Sequence, residues 1–422
     1  MGVGGQQDRG PAMGLFGMGK KPLTFGLDIG SSSIKVIELR EGKGAWGLTA
    51  FAQVALPRDV ISEGSIKEPG LVSDAVKECI QKAGIKGTAA VISVSGREGI
   101  MKRVPLPKVT PKELADAITL EAEHHIPFAV DDVFLDYQVV GESVNTMSVV
   151  LVAVKKVKVL EYVAAVEQAG LEALVVDLDA FAIQNQFELN HPEPADEAVA
   201  LIDIGATVMK TNVVRGGTSV FARDVPFGGH NYTLAIAQRL NIPFEKAEAA
   251  KQGQDVGVAW DDLVPALEAV SRDLSMEVQR TFDYFASTAE SERIGRIVLS
   301  GGCARLAGID EFLSSSWGVP VEVAKPLEHV EYDAAQFSAE ELDQALKELR
   351  AIGPPVSKLS ASGMMPERLS NPCVGLRPTI PQRAAGCRIE PPVSVPIASG
   401  TWPASGRICS RSAGTYGPSR AR

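Results

Sequence analysis

One strand, turn and strand pattern constrains this chain more than any other feature of its sequence. It reads FGLDIGSSSIKVIEL over residues 25–39. Alternating apolar residues predict a strand that ends near Asp28, Gly30 permits a tight turn, and the β-rich run through Leu39 predicts a second strand. The sequence therefore predicts a β-hairpin with an aspartate beside its turn.

The turn of this hairpin carries groups that suit a phosphate and a divalent cation. Its hydroxyl run leaves backbone N–H groups and side-chain oxygens that can face an anion, and Lys35 adds positive charge. Asp28 can hold Mg²⁺ through water, because Mg²⁺ keeps several waters and takes few protein carboxylates. The candidate phosphate-binding residues are Gly30, Ser31, Ser32, Ser33 and Lys35. Taken alone, this single copy still favours an ordinary structural turn, because hairpins with Asp and Gly at the turn are common.

A second copy of the pattern changes that assessment. Residues 201–214 read LIDIGATVMKTNVV, with Asp203 and Gly205 in the positions of Asp28 and Gly30. A small residue and a threonine follow the glycine, and a β-rich run comes next. Two such hairpins, far apart in sequence, predict two related halves that face one nucleotide.

The composition narrows the class of protein. With 422 residues and 45% hydrophobic content, the chain can bury more than one core, and two domains are expected. The net charge of −10 argues against general nucleic-acid binding. No apolar run reaches the ~20 residues of a membrane-spanning helix, and no signal-peptide core is seen, so a cytoplasmic location is the default expectation. The five cysteines form no CxxC pair, which indicates neither a zinc site nor a disulfide framework.

Helical and strand patterns alternate through the middle of the chain. Thr110 and Glu113 form a capping box that predicts a helix start. The helices and strands over residues 105–172 predict a compact α/β unit inserted into the first half. Further on, a predicted strand leads directly into Gly301 and Gly302, where the absence of side chains lets the backbone pass close to a ligand.

In this order, the motifs make the sequence resemble the actin, sugar kinase and heat-shock-70 ATPase superfamily. More narrowly, it resembles the PilM family of cytoplasmic actin-like proteins in type IV pilus assembly. The resemblance spans residues 23–349, and the ordered set of segments is specific although each member is not. The segments read FGLDIGSSSIKVIEL, AAVEQAGLEALVVDLDAFA, LIDIGATVMKTNVV, VPFGGHNYT and IVLSGGCARLAGIDEFL. The implied fold class is α/β and actin/ribonuclease H-like, with two duplicated halves flanking a nucleotide cleft and a small inserted α/β subdomain in the first half.

The resemblance also implies roles for the site residues, with ATP and Mg²⁺ as cofactors. Residues 28–35 would form the first phosphate loop and residues 203–207 the second, with Asp28 and Asp203 near the metal. Asp179 would be the acid that orients attacking water. Many members have Glu there, and the shorter Asp fits at most a slow ATPase, because water positioning contributes much of phosphoryl-transfer catalysis. The second-half cofactor residues would be Gly205, Ala206 and Thr207 at the phosphates, Glu248 and Lys251 at ribose and adenine, and Gly301 and Gly302 at adenine.

The same resemblance implies a division of the chain and a partner. The expected segments are an N-terminal extension over 1–22, the first half over 23–104 and 173–200, the inserted subdomain over 105–172, the second half over 201–350 and a tail over 351–422. In the PilM family, the N-terminal peptide of the inner-membrane protein PilN docks in a groove beside the inserted subdomain, a known mode of peptide recognition. The implied function is an ATP-binding scaffold for pilus biogenesis and twitching motility, peripheral to the inner membrane through its partners. Other pilus assembly proteins and self-association are further expected contacts, and nucleic acid is not.

Two other functions stay open at this point. An FtsA-like cell-division filament protein would need an amphipathic C-terminal helix, and the basic, proline-rich tail shows none. A small-molecule kinase of the same superfamily would need a substrate acid and a binding loop between the phosphate hairpins. The inserted unit occupies that interval instead.

Both ends of the chain depart from the family pattern. Met13 or Met18 is a more natural start, because the residues before them add nothing that folds. Ser338 and Glu341 form a capping box for a last helix. After it, residues 351–422 carry nine Lys/Arg against two Asp/Glu and eleven of the 26 prolines, with no periodicity. We expect either an altered reading frame or a disordered basic extension there.

Overall fold

The computed structural model describes residues 24–42, 45–62, 64–95, 99–191, 197–288 and 293–338. Its strands are β1 (Thr24–Ile29), β2 (Ser33–Glu41), β3 (Trp46–Ala55), β4 (Ile61–Ser62), β5 (Ser65–Ile66), β6 (Ala89–Val94), β7 (Gly99–Pro107), β8 (Val133–Glu142), β9 (Thr146–Lys155), β10 (Glu172–Leu178), β11 (Ala198–Ile204), β12 (Met209–Arg215), β13 (Thr218–Val225), β14 (Ile294–Ser300), β15 (Val321–Val323) and β16 (Val330–Tyr332). Its α-helices are α1 (Pro69–Ala83), α2 (Pro111–His125), α3 (Lys156–Gln168), α4 (Asp179–Asn190), α5 (Gly229–Leu240), α6 (Phe244–Lys251), α7 (Trp260–Thr288) and α8 (Ile309–Trp317).

Two mixed sheets form the framework, and five strands of the first, read in reverse and without β16, have the same order as the five strands of the second. The first runs β10-β6-β1-β2-β3-β16 and the second β13-β12-β11-β14-β15. In each sheet, the first strand of the hairpin pairs antiparallel with the second strand and parallel with a later one, β6 or β14. This duplication is what two copies of one hairpin pattern predict. The predicted α/β fold class, two duplicated actin-like halves, is confirmed.

Each sheet is covered by helices that bury its apolar side chains. In the first half, Phe25 and Leu27 of β1 pack with Val76 of α1 in one cluster, and all three are at most 1% exposed. In the second half, Ile202 of β11 and Leu274 of α7 are fully buried in a separate cluster. Burial of each such side chain stabilises the fold by roughly 1.5–3 kcal/mol. The two halves therefore have their own cores.

A three-stranded antiparallel sheet, β7-β9-β8, adjoins the first half. Its central strand β9 is buried on both faces, because successive side chains point to opposite sides of a strand. Val149, Leu151 and Ala153 pack with α2, whereas Val150 and Val152 join the core of the first half. The sheet is thus held between two apolar clusters.

For this insertion we propose other bounds than the range 105–172 expected above. Strand β7 already begins at Gly99 and pairs with β9 along its whole length. Helix α3 packs through Val159, Tyr162 and Val166 into the core of the first half. An amphipathic helix pattern shows that one face is buried but does not show in which core, which explains the difference. We propose residues 99–155 as the inserted unit.

Helix α4 connects the two halves and places Asp179 in its first turn. Ile183 and Phe187 of this helix pack with Leu201 of the second sheet. The side-chain amide of Asn212 on β12 donates to the carbonyl of Ala180, at 2.7 Å. The start of α4 is therefore fixed against the second half although β10, which precedes it, belongs to the first.

The segments predicted over 1–22 and 351–422, and the helix expected after Ser338, lie outside the described residues. Within the residues that are described, no helix has the length and apolar character needed to cross a membrane.

Candidate functional site

The turns of the two predicted hairpins have the same geometry. The N–H of Gly30 donates to the carbonyl of Ser33 at 3.1 Å, and the N–H of Gly205 donates to the carbonyl of Val208 at 3.0 Å. Asp28 lies directly across the strand pair from Lys35 in the first hairpin, and Asp203 lies directly across from Lys210 in the second. The structure thus gives the two loops equivalent positions in their halves.

The two loops meet across a cleft. Thr207 Oγ1 of the second loop donates to Ser31 Oγ of the first, at 3.0 Å. Beside this contact lies a cavity of about 560 Å³, within the ~300–1,000 Å³ range of small-molecule and cofactor sites. It is lined by Ser32, Ser33, Lys35, Gln53, Ala55, Gly205, Ala206, Gly229, His230, Glu248, Lys251, Gln252, Gln254, Gly302, Cys303, Arg305 and Leu306. Residues of both halves therefore surround one space.

Eight of the fifteen predicted site residues line this cavity. They are Ser32, Ser33, Lys35, Gly205, Ala206, Glu248, Lys251 and Gly302. Ser31 lines an adjoining outer cavity of about 390 Å³. The remaining six are not among the residues that line either cavity: Asp28, Gly30, Asp179, Asp203, Thr207 and Gly301. The three aspartates among them are nonetheless in ion pairs with lysines of the two hairpins.

Glu248 and Lys251 form a fixed pair on α6. Lys251 Nζ donates to Glu248 Oε2 at 2.8 Å, to Thr233 Oγ1 at 2.9 Å and to the carbonyl of Gly229 at 3.1 Å. Thr233 also donates to Glu248. The pair is held against the start of α5, so both side chains keep their place at the cavity.

The ionisation of Glu248 follows from these contacts. Burial opposes its charged form, but the positive charge of Lys251 and hydrogen bonds from Lys251, Thr233 and Gln252 outweigh burial and hold its pKa below the ordinary value. Glu248 is therefore an ionised hydrogen-bond acceptor at neutral pH.

Two glycines allow three backbone segments to approach closely at the second loop. A Cβ at Gly301, whose φ is +83°, would lie 2.5 Å from the carbonyl oxygen of Ile204. A Cβ at Gly228 would lie 2.5 Å from the carbonyl oxygen of Gly205. The sequence predicted that Gly301 approaches a ligand, and neither of these two backbone contacts was predicted.

The start of α5 is bonded directly to the second loop. The N–H of Gly229 donates to the carbonyl of Gly205 at 2.9 Å, and the N–H of His230 donates to the carbonyl of Ala206 at 2.8 Å. These bonds satisfy two donors that a helix N-terminus otherwise leaves unpaired. The loop and the helix therefore move as one unit.

A buried charge cluster lies where the start of α4 meets β11 and β12. Lys210 Nζ lies 2.7 Å from Asp179 Oδ2 and 3.6 Å from Asp203 Oδ2. Ser93 Oγ donates to Asp179 Oδ1, and Ser300 Oγ lies 3.3 Å from Asp203 Oδ1. The structure thus joins Asp179 and Asp203 through a lysine that the sequence analysis missed. The signal for it was present, because DIG is followed by Lys at the same spacing in both hairpins.

The donor set at the two aspartates suits one type of metal site. In the described part of the chain, no group of three or more His, Cys, Asp or Glu could hold a metal ion. Asp28 lies beside Lys35, at 3.2 Å, as Asp203 lies beside Lys210. These residues fit Mg²⁺ held mainly by phosphate oxygens and water, and do not fit a cation held by protein groups alone.

Three side chains from both halves meet along the outer cavity, at the mouth of the cleft. The guanidinium of Arg58 lies 4.6 Å from the ring centre of Phe244, and the ring of His230 meets Phe244 edge-on at 5.2 Å. Burial lowers the pKa of His230. We call these three residues the cleft-mouth stack. No local sequence signal predicted it, since Arg58 and Phe244 are far apart in the chain.

Comparison with known proteins agrees with this architecture. The sequence model of the family described as Type IV pilus assembly protein PilM matches residues 26–354. Among solved structures, the chain is similar to a PilM-PilN type IV pilus biogenesis complex, with a TM-score of 0.69 and 27% identity over 78% of this chain and 96% of that one.

Relatives among curated proteins include cell division proteins. FtsA of Staphylococcus epidermidis is 22% identical over 346 residues, which are 71% of this chain and 74% of FtsA. FtsA of Helicobacter pylori is 23% identical over 384 residues, which are 74% of this chain and 77% of FtsA.

Proposed function

Because the chain belongs to the family of type IV pilus assembly proteins PilM, we propose that it is an ATP-binding scaffold of pilus assembly. One observation carries the nucleotide assignment: two hairpin turns of equivalent geometry meet through Thr207 and Ser31 beside a cavity lined by both halves. Turn backbones, hydroxyls and a lysine are the groups that bind phosphate.

The proposal assigns each part of the nucleotide to residues at the cavity. The phosphates contact Ser32, Ser33 and Lys35 of the first loop and the backbone of residues 205–207 in the second. Glu248 accepts from the ribose hydroxyls, since it is ionised and held by Lys251. The remaining predicted contacts are Gly30 and Ser31 at the phosphates and Gly301 and Gly302 at the adenine.

Mg²⁺ would be held near Asp28 and Asp203, and it would neutralise charge on the phosphates. Asp179 remains our candidate for orienting water. Both of its carboxylate oxygens already have protein partners, Lys210 and Ser93. We therefore propose that the chain is at most a slow ATPase.

The proposed partner is the N-terminal peptide of PilN at the inner membrane. The similar solved structure is a PilM-PilN complex, and this chain covers 96% of its counterpart in that structure. The insertion beside which the peptide would dock also touches the second half: Ser219 Oγ on β13 lies 3.2 Å from Met101 Sδ on β7. Directly after β6, Ser95 donates to Asp224 of β13. A ligand that favours one degree of cleft closure would therefore bias the position of the insertion.

Calorimetric titration of the full chain with Mg-ATP, and then with a PilN N-terminal peptide, tests this proposal. Lys251→Met should weaken ATP binding, because Lys251 lies at the cavity. Lys246→Met is the matched control, since Lys246 lies on the same helix but is exposed and outside the cavity. A scrambled peptide controls for non-specific association.

The outcomes separate the candidate functions. Binding of ATP and of the native peptide supports the pilus scaffold. Binding of ATP alone, together with ATP-dependent sedimentation of filaments, would favour an FtsA-like protein instead. Equal ATP affinity in Lys251→Met and the wild type would refute the placement of the nucleotide.

A further inference from the structure

The lysines of the two hairpins have corresponding positions but different contacts. Lys35 lies directly across from Asp28, and Lys210 lies directly across from Asp203. In the first half, Lys35 Nζ lies 3.2 Å from Asp28. In the second half, Lys210 Nζ is 3.6 Å from Asp203 but only 2.7 Å from Asp179. The second lysine therefore makes its shorter contact with the acid of α4 rather than with its cross-strand aspartate.

This contact is buried, and each carboxylate oxygen of Asp179 has a protein partner. The side chains of Lys210, Asp179 and Asp203 are 9%, 15% and 1% exposed. Ser93 donates to the other carboxylate oxygen of Asp179. A carboxylate orients a water molecule by accepting a hydrogen bond from it, and these two partners fix the directions from which Asp179 can accept. Separating a buried ion pair is costly, because each charge then lacks compensation.

Lys210 also supplies charge where a nucleotide site ordinarily depends on a cation. Asp203 and Asp179 place two negative charges behind the second phosphate loop, and the ammonium of Lys210 lies between them. It offsets part of their repulsion toward the phosphates of a nucleotide. The Mg²⁺ ion has less charge to neutralise there than it would have without the lysine.

We propose that Lys210 is a positioning residue that restrains Asp179, so that the chain retains ATP with little hydrolysis and with reduced dependence on Mg²⁺. This inference rests on the proposed nucleotide-binding function. Lys210 acts through Asp179 and Asp203. The substrate class is a nucleoside triphosphate bound in the cleft described above.

The test compares the full-length wild type with Lys210→Met, which removes the charge at similar length, and with Lys210→Arg, which keeps it. For each protein, the dissociation constant of ATP is measured in Mg²⁺ and in excess EDTA, and hydrolysis is followed in a single turnover. We expect Lys210→Met to raise the ratio of the ATP dissociation constant in EDTA to that in Mg²⁺ at least ~10-fold. We also expect it to raise the rate of ATP turnover at least ~10-fold. Lys210→Arg should keep both values close to those of the wild type.

Two further variants make the test specific. In the double variant that combines Lys210→Met with Asp179→Asn, the gain in turnover should disappear. The ratio of the dissociation constant in EDTA to that in Mg²⁺ should exceed the wild-type ratio, but by less than in Lys210→Met alone. Lys77→Met removes a lysine that is paired with Asp74 on α1 and that lines neither cavity. It should change neither the Mg²⁺ ratio nor the turnover. If Lys210→Met does not fold, Lys210→Gln keeps a donor without the charge and carries the same comparison.

The failures are distinguishable. A wild type that does not bind ATP with or without Mg²⁺ refutes the proposed function itself. A wild type that binds ATP, with Lys210→Met unchanged in both readouts, overturns only the role of Lys210. Loss of ATP affinity in Mg²⁺ on Lys210→Met, without any gain in turnover, would also overturn it, and would make Lys210 a direct phosphate ligand.

Discussion

Replacing Gly228 by alanine tests how closely α5 must approach the second phosphate loop. The new Cβ would lie 2.5 Å from the carbonyl oxygen of Gly205 and 2.6 Å from the carbonyl carbon and oxygen of Ala206. Actual Cβ contacts essentially never fall below 3.0 Å, so the loop or the helix must move by at least ~0.5 Å, and backbone atoms cannot rotate away as a side chain can. The φ angle of Gly228 is −173°, which any residue adopts. The effect is therefore steric.

The loss of stability and of ATP affinity in Gly228→Ala follows from the contacts that must change. Overpacking of this kind costs about 1–3 kcal/mol of the free energy of unfolding, which corresponds to a fall of roughly 2–6 °C in melting temperature for a domain of this size. The same shift stretches the bonds from Gly229 and His230 to the loop carbonyls. If one such hydrogen bond is lost, we expect ATP affinity to fall about 2–10-fold.

Thermal melting and calorimetric titration measure both effects. Gly302→Ala is the control for stability, because a Cβ there would meet no atom within 4 Å, and its melting temperature should stay within about 1 °C of the wild type. A Gly228→Ala protein with wild-type melting temperature and wild-type ATP affinity would refute the close packing on which the site rests.

Three further tests probe other parts of the site. Asp28→Asn and Asp203→Asn should each weaken Mg-ATP binding at least ~10-fold, whereas Asp74→Asn, an exposed aspartate on α1, should not; equal affinities in all three would contradict the metal assignment. Because the pKa of Glu248 is held below its ordinary value of ~4.3, its charge stabilises the fold above that pH and stops doing so as the pH falls through the lowered pKa. The difference in melting temperature between wild type and Glu248→Gln should accordingly be complete near about pH 7 and shrink below about pH 4; a difference that is constant over this range would contradict the pairing with Lys251. Phe244→Ala removes the centre of the cleft-mouth stack and should speed nucleotide dissociation, measured by stopped-flow fluorescence, with an unchanged rate arguing that the stack does not close the cleft.

The parts of the site that could be predicted from the sequence are those set by local geometry. Strand alternation and a turn glycine were enough to place Asp28 and Asp203 at equivalent ends of two hairpins, because these features act over a few residues. The same reasoning gave the capping box of α2, whose Thr110 and Glu113 side chains bond as expected. The repeat then predicted two related halves.

The parts that could not be predicted depend on how distant elements pack. The short contact between Lys210 and Asp179 exists because α4 is fixed against the second sheet, and nothing within either segment indicates this. The stacking of Arg58 on Phe244 likewise depends on how the two halves meet. The burial of Tyr162 with the first-half core reflects a choice between two apolar surfaces that the α3 pattern does not distinguish.

The double burial of strand β9 has a consequence for the dynamics of the insertion. Because alternate residues of β9 belong to two different cores, the strand cannot leave one core and stay in the other. Amide hydrogen exchange along β9 should thus require the same cooperative opening as the first half, and the insertion alone should not be an independent folding unit. A peptide bound beside it would meet a surface with the rigidity of the whole first half. Binding would therefore cost less conformational entropy than it would if the insertion were a separately moving subdomain that had to become ordered.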